Sequence, residues 1–216
     1  MTGSEIFTLT SLLSSLGLVA LLFLAFSAAK SAIPEAPTKD KLIFVWLVFD
    51  GLVHFVYEGS WIWLSFPAPR TVNNSVGVFA EMWREYTRAD TRWGVADPGV
   101  LALELLTVFV IGPMCFYIVY LMAKKDMARQ YWMIVLCTSE IYGGWMTFCP
   151  EWLAQTNALN PENSALHLYF YLWFLNGIWV VIPAYLLFDS WKTISLSLRS
   201  PEKYMSSCKQ ISKKQQ

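Results

Sequence analysis

Residues 42–66 read LIFVWLVFDGLVHFVYEGSWIWLSF, and their reading decides the fold. The run is apolar enough and long enough to cross a bilayer, which takes roughly 20 residues as a helix. Yet it carries Asp50, His54 and Glu58. At i, i+4, i+8 these three share one side of a helix, drifting about 40° per step. An ionised side chain facing lipid costs at least about 2.5–3.5 kcal/mol. The stripe therefore faces protein, water or a ligand, and it is the first pointer to function.

The rest of the chain agrees with a membrane reading. Of 216 residues, 56% are hydrophobic and 15% charged, against about 45–50% and 25% in soluble domains. The net charge of zero argues against a nucleic-acid partner. Cys115, Cys137, Cys149 and Cys208 show no paired or metal-ligand spacing, which predicts neither a disulfide framework nor a metal site.

Five spans are expected, forming an all-α integral membrane protein. The first covers about 9–29 and reads as a retained helix, because nothing before Lys30 is basic as a secretory leader requires. Pro34 and Pro37 separate it from the second span, which stops at Pro67 and Pro69. The insert 68–97 follows. Its middle, VFAEMWREYTRADTRW, predicts a short interfacial helix with Phe79, Met82, Trp83 and Tyr86 on one face. The third span, about 98–123, begins on Pro98 and holds Gly112-Pro113 as an expected kink. The fourth covers about 130–148, a loop with Pro150 and Pro161 follows, and the fifth covers about 166–191. From Lys192 the chain reads as a polar, disordered tail. The expected organisation is 1–39 (helix and connector), 40–191 (a four-helix catalytic unit) and 192–216 (tail).

With five spans, 12 of the 16 Lys and Arg fall on one side, the exceptions being Arg70, Arg84, Arg88 and Arg92 in the insert. The positive-inside rule then puts the C-terminus in the cytosol. Asn73-Asn74-Ser75 is a weak glycosylation signal on the opposite side.

Taken singly, Thr107 or Asn176 reads as a helix–helix hydrogen bond and Trp179 as packing. The set weighs differently. Spans two to five hold Asp50, His54, Glu58, Glu104, Glu140 and Asn176, with no lysine or arginine among them. Carboxyls so enclosed would share protons, and an acid in an apolar pocket can protonate something weakly basic, such as an alkene. Trp179 could face a developing carbocation through its ring. No nucleophile elbow, phosphate loop or zinc spacing is present.

These residues carry a resemblance. GLVHFVYEG (51–59), WREYTRADTRW (83–93), ELLTVFVIGP (104–113), IYG (141–143) and YFYLWFLNGIWVVIP (169–183) resemble, in order and spacing, the emopamil-binding protein family of sterol Δ8–Δ7 isomerases in the EXPERA superfamily. The resemblance implies five helices around an intramembrane ligand cavity, in a multi-pass protein of the endoplasmic reticulum membrane. It implies a cholestenol Δ-isomerase type of activity without a cofactor, on a sterol or terpenoid among membrane lipid; a homodimer is compatible with it. His54, Glu58 and Glu104 are the implied proton-handling residues. Trp179 is the implied cation stabiliser, and Asn176 and Thr107 orient the acids or bind polar groups. Trp93 keeps the aromatic character of a family position that can be tyrosine. Asp50, Glu140 and Tyr142 are expected beside the same cavity. Gly144 stands where the family often has an acid, and Asp50 and Glu140 add carboxyls, departures that bear on the substrate more than on the chemistry.

Three functions compete: a sterol Δ8–Δ7 isomerase, an isomerase or cyclase of another terpenoid, and a non-enzymatic sterol- or amine-binding protein. A proton channel fits less well, because Asp50 to Glu58 spans only about 12 Å of a core roughly 30 Å thick.

Overall fold

A computed structural model describes residues 9–159 and 165–202. Four helical stretches are long and apolar enough to cross a membrane: α1 (Leu9–Ala32), α2 (Thr38–Ser65), α5 (Pro98–Ala123) and α7 (Leu166–Arg199). The expected fourth span is α6 (Arg129–Ala154), a full-length helix whose mixed composition leaves it outside that group. Two short helices, α3 (Val78–Thr87) and α4 (Arg92–Val95), form the insert between α2 and α5. Among the described residues the β-structure is one isolated bridge, Asp90 to Leu159, which ties the insert to the loop after α6.

Local signals explain most boundaries. The Asp97 side chain accepts from the backbone N–H groups of Gly99 and Val100 at 2.8 and 3.1 Å, and Pro98 follows it in the first turn of α5. Two ends run past expectation. α6 continues through Pro150 to Ala154, because one missing hydrogen bond near a helix end is tolerable; buried Glu151 then accepts from Thr156 and Ala158 to fasten the turn that follows. α7 continues to Arg199, so Lys192–Arg199 is helical rather than tail. Pro161 and the tail beyond residue 202 lie outside the described residues.

The side chains that face outward support the membrane reading. Phe23, Trp63, Phe109 and Val181 are each more than 60% exposed on the spans. Large apolar groups scattered over the outer faces of long apolar helices suit lipid, not water. Inside, two clusters divide the molecule. The larger joins Ala25 and Ala29 of α1, Phe44 and Leu47 of α2, Ile118 of α5, Leu136 of α6 and Leu186 of α7. The smaller gathers Trp61, Val72, Trp83, Trp93, Val100 and Val108 under the insert. Within it Trp83 and Trp93 stack at 5.0 Å and 3°, and the Trp61 indole donates to the Trp93 carbonyl at 2.9 Å.

The fully buried members that α2 gives to the larger cluster end at Val48, and those it gives to the smaller begin at Trp61. Between these points, at His54–Glu58, its backbone widens into a π turn. α5 does the same at Thr107–Ile111, and the two π turns pack together. The expected kink at Gly112-Pro113 is thus a π turn that ends just before it. α7 opens with a longer π stretch, Leu166–Leu175. Such widenings are rare and recur at functional sites.

Candidate functional site

The seam between the clusters contains two cavities. One, of about 560 Å³, is lined by His54, Glu58, Glu104, Thr107, Glu140, Asn176 and Trp179 together with apolar residues of α6 and α7. The other, of about 210 Å³, lies towards α1 and the insert and is lined by Tyr57, Glu58, Tyr86, Trp93, Glu104, Asn176 and Trp179, among others. Glu58, Glu104, Thr147, Asn176 and Trp179 border both, so the acids stand at a waist between two lobes.

The π turn of α2 presents His54 and Glu58 together. Nδ1 of His54 lies 2.6 Å from Oε2 of Glu58, a contact that fixes the ring's orientation. On its other edge, Nε2 lies 3.2 Å from Oδ1 of Asp50, off the line of a hydrogen bond. The imidazole is 2% exposed and has a carboxyl on each side. It can sit this close to α5 because that helix carries Gly112 opposite it; a Cβ there would lie 3.3 Å from the His54 Cβ.

Glu104, one turn before the α5 π turn, is 8% exposed and interacts with Glu58, while its Oε2 has no hydrogen-bond partner among the described residues. A buried carboxyl oxygen without a partner is costly, and a proton, water or guest would relieve it. The Thr107 hydroxyl donates back to the Leu103 carbonyl at 3.0 Å. Asn176 donates from Nδ2 to the Tyr171 carbonyl at 2.9 Å and to the Tyr86 hydroxyl at 3.2 Å, which links α7 to the insert. The Trp179 indole donates to Oδ1 of Asp50 at 2.6 Å.

Most of the expected set therefore converges: His54, Glu58, Glu104, Thr107, Asn176, Trp179 and Glu140 border the larger cavity, and Trp93 borders the smaller. Two expected members stand apart. Asp50 is fully buried behind His54 and borders neither cavity. Tyr142 is 62% exposed and also borders neither; two residues beyond Glu140 on a helix, it is turned about 200° away. Two residues outside the expected set also reach the site: Tyr86, whose hydroxyl arrives from the insert, and Cys115, whose thiol donates to Oδ2 of Asp50 at 3.3 Å. Tyr86 had a signal only as part of an amphipathic face, and Cys115 had none.

The fold also gathers what spacing did not suggest. Ligand-type atoms of Asp50, His54, Cys115 and Glu140 lie within 4.8 Å of one another. Among the described residues both oxygens of Glu140 are sealed from solvent without a well-formed hydrogen bond, and the carboxyl lies against that of Asp50. Such a group can hold shared protons or a divalent cation. Both Asp50 oxygens already accept hydrogen bonds, from Trp179 and Cys115, which favours protons.

Comparison with known proteins agrees with the geometry. A protoglabretal synthase of Ailanthus altissima is 28% identical over 169 residues, covering 78% of this chain and 74% of that one. A probable 3-beta-hydroxysteroid-Delta(8),Delta(7)-isomerase of Arabidopsis thaliana is 29% identical over 184 residues, covering 84% and 76%. The 3-beta-hydroxysteroid-Delta(8),Delta(7)-isomerase of Cavia porcellus is 25% identical over 190 residues, covering 83% and 80%. The sequence model of EBP, described as EXPERA (EXPanded EBP superfamily), matches residues 78–190. The chain belongs to the EBP family, the emopamil-binding proteins of the EXPERA superfamily.

Proposed function

We propose that this protein is an intramembrane isomerase that moves a ring double bond of a sterol from Δ8 to Δ7. One observation carries the reading: the His54–Glu58 pair and the neighbouring acid Glu104 border one largely apolar cavity of about 560 Å³ together with the Trp179 ring. One unit delivers a proton to carbon 9 of the alkene, leaving a tertiary cation at carbon 8. The other removes a proton from carbon 7, so that the new double bond lies between carbons 7 and 8. Electrons and protons balance without a redox partner. Trp179 offers its face to the cation. Asn176 and Thr107 hold the acids or a polar group of the guest. The cavity's apolar walls exclude water that would otherwise trap the cation.

In this reading α6 is the fourth of five spans, residues 40–191 form the catalytic unit, and the protein resides in the endoplasmic reticulum membrane with a cytosolic C-terminus. The charge bias of the connectors and the names of the relatives support that placement.

The test is incubation of protein-containing membranes with a Δ8 sterol in deuterated water. Formation of the Δ7 isomer with deuterium at carbon 9 is expected, and absence of both rejects the reading. A second substrate class is favoured by a specific observation: relatives of equal similarity include a protoglabretal synthase and an isomeliandiol synthase. Turnover of a tetracyclic terpenoid with the sterol untouched would establish that reading instead.

A further inference from the structure

The proposed chemistry leaves two buried acids without a part, Asp50 and Glu140, and of these only Asp50 lies off both cavities. It is 0% exposed and borders neither cavity, so it cannot touch a guest. A carboxyl deep in a membrane protein with no lysine or arginine near it is expensive, and a residue serving only packing there would be apolar. Both its oxygens are engaged. Oδ1 accepts from the Trp179 indole at 2.6 Å, and Oδ2 accepts from the Cys115 thiol at 3.3 Å. Three helices, α2, α5 and α7, are tied at one carboxyl.

The contact that matters is the one to Trp179. This side chain borders both cavities. Its remaining ring neighbours, Trp46 at 5.5 Å and Phe49 at 6.4 Å, supply apolar contact and no acceptor. The direction of the indole N–H, and with it the direction of the ring face, is therefore set by Asp50. A hydrogen bond to a carboxylate is about twice as strong as one between neutral groups, which suits it to hold a ring beside open space.

We propose that Asp50 is a positioning residue: from outside the cavities it holds the Trp179 indole so that the ring face is presented where the two lobes meet. That the face then meets a carbocation rests on the function proposed above. The anchoring itself does not.

The test labels the protein with 5-fluorotryptophan and assigns the Trp179 fluorine resonance by its absence in Trp179→Phe. Asp50→Ala should shift or broaden that resonance. Asp50→Asn, whose amide carbonyl still accepts, should restore it. Affinity for an N-alkyl azadecalin, a bicyclic amine whose cation imitates the carbocation, should fall about tenfold in Asp50→Ala, the order of a cation–π contact. In Trp179→Phe the further Asp50→Ala change should cost less than about twofold, because coupled residues are not additive. If Asp50→Ala fails to fold, Asp50→Leu fills the volume and carries the same readouts. A Trp179 resonance and amine affinity equal to wild type without the carboxyl would overturn the proposal, and so would independent effects of the two substitutions. One divalent metal ion per chain, lost in both Asp50→Asn and Cys115→Ser, would overturn it too, by making Asp50 a ligand. A wild-type protein that turns over no alkene while the fluorine result holds refutes the isomerase reading and leaves the positioning role standing.

Discussion

The Nδ1 of His54 lies 2.6 Å from Oε2 of Glu58 across a π turn of α2. That distance is a hydrogen bond, and in the function proposed above one partner would release a proton to the guest while the other keeps the ring in place. His54→Ala and Glu58→Gln should each lower turnover by about 10²–10⁴-fold, the range for loss of one acid–base partner. Both variants should keep a cooperative thermal transition. The measurement is deuterium incorporation in a single turnover beside a melting curve in detergent. Normal incorporation by either variant would remove the pair from the chemistry.

Gly112 and Gly143 offer a paired test of how tightly the site is built. A Cβ on Gly112 would lie 3.3 Å from the His54 Cβ and 3.6 Å from the Phe55 ring. The tight contact is the one to His54, whose Cβ is buried and fixed to the backbone, while the half-exposed Phe55 ring is met at an ordinary distance. Gly112→Ala should therefore destabilise by roughly 1–3 kcal/mol and displace His54. A Cβ on Gly143 meets nothing within 4 Å. There the helix-propensity gain dominates, and Gly143→Ala should stabilise by about 0.5–1 kcal/mol. Thermal melts of the two variants should shift in opposite directions; shifts of the same sign would refute the close approach of α2 and α5.

The contrast between the two glycines shows what the sequence could and could not convey. The spans were legible because a run of about 20 apolar residues admits few other structures. The ionisable stripe Asp50, His54, Glu58 was legible for the same reason, as the cost of burying it is independent of detail. The separation of its members was not. The three stay in line, Asp50 to His54 at 3.2 Å and His54 to Glu58 at 2.6 Å, but only His54 and Glu58 border the larger cavity, because Asp50 is sealed behind the imidazole. Tyr142 shares a motif with the cavity side of α6, yet the helix turns it about 200° from Glu140, so neighbours in sequence part in space. Tyr86 and Cys115 were invisible because their roles depend on α7 and α2 arriving from more than 60 residues away.

Asp90 and Arg92 pin the insert. The guanidinium donates to both Asp90 oxygens, at 2.9 and 2.6 Å, and Asp90 is 1% exposed. Burial works against the charge on Arg92, but the hydrogen bonds and charge of Asp90 outweigh it and hold the guanidinium above its ordinary pKa. A raised pKa stabilises the fold fully below the unfolded value and is lost only as pH rises through the folded one. Arginine's contribution is thus constant over any working pH. Asp90→Ala leaves the guanidinium with one side buried and unpaired, and should cost roughly 3 kcal/mol. Salt should restore little of it, because the pair is shielded from solvent. A thermal midpoint within 1 °C or so of wild type would show that the insert does not depend on the pair.

Tyr86 gives the clearest pH signature. Burial raises the pKa of its phenol; the hydrogen bond from Asn176 lowers it, and the charges of Asp90 and Glu104 raise it further, for a net rise above the ordinary value near 10. The folded chain therefore keeps a proton that the unfolded chain gives up. Stability from this group is complete below about pH 10 and drains away as pH climbs past it. Two outcomes follow for Tyr86→Phe. In the native state the tyrosinate absorbance developing between about pH 9 and 11 should match wild type, because Tyr86 contributes nothing there, while in denaturant the variant should show one tyrosinate fewer of the ten. Above about pH 10 the wild-type melting temperature should also fall more steeply than the variant's. A native titration in which the variant loses absorbance below pH 11 or so would mean that the hydroxyl is open to solvent, and that the insert does not close the smaller cavity against Asn176.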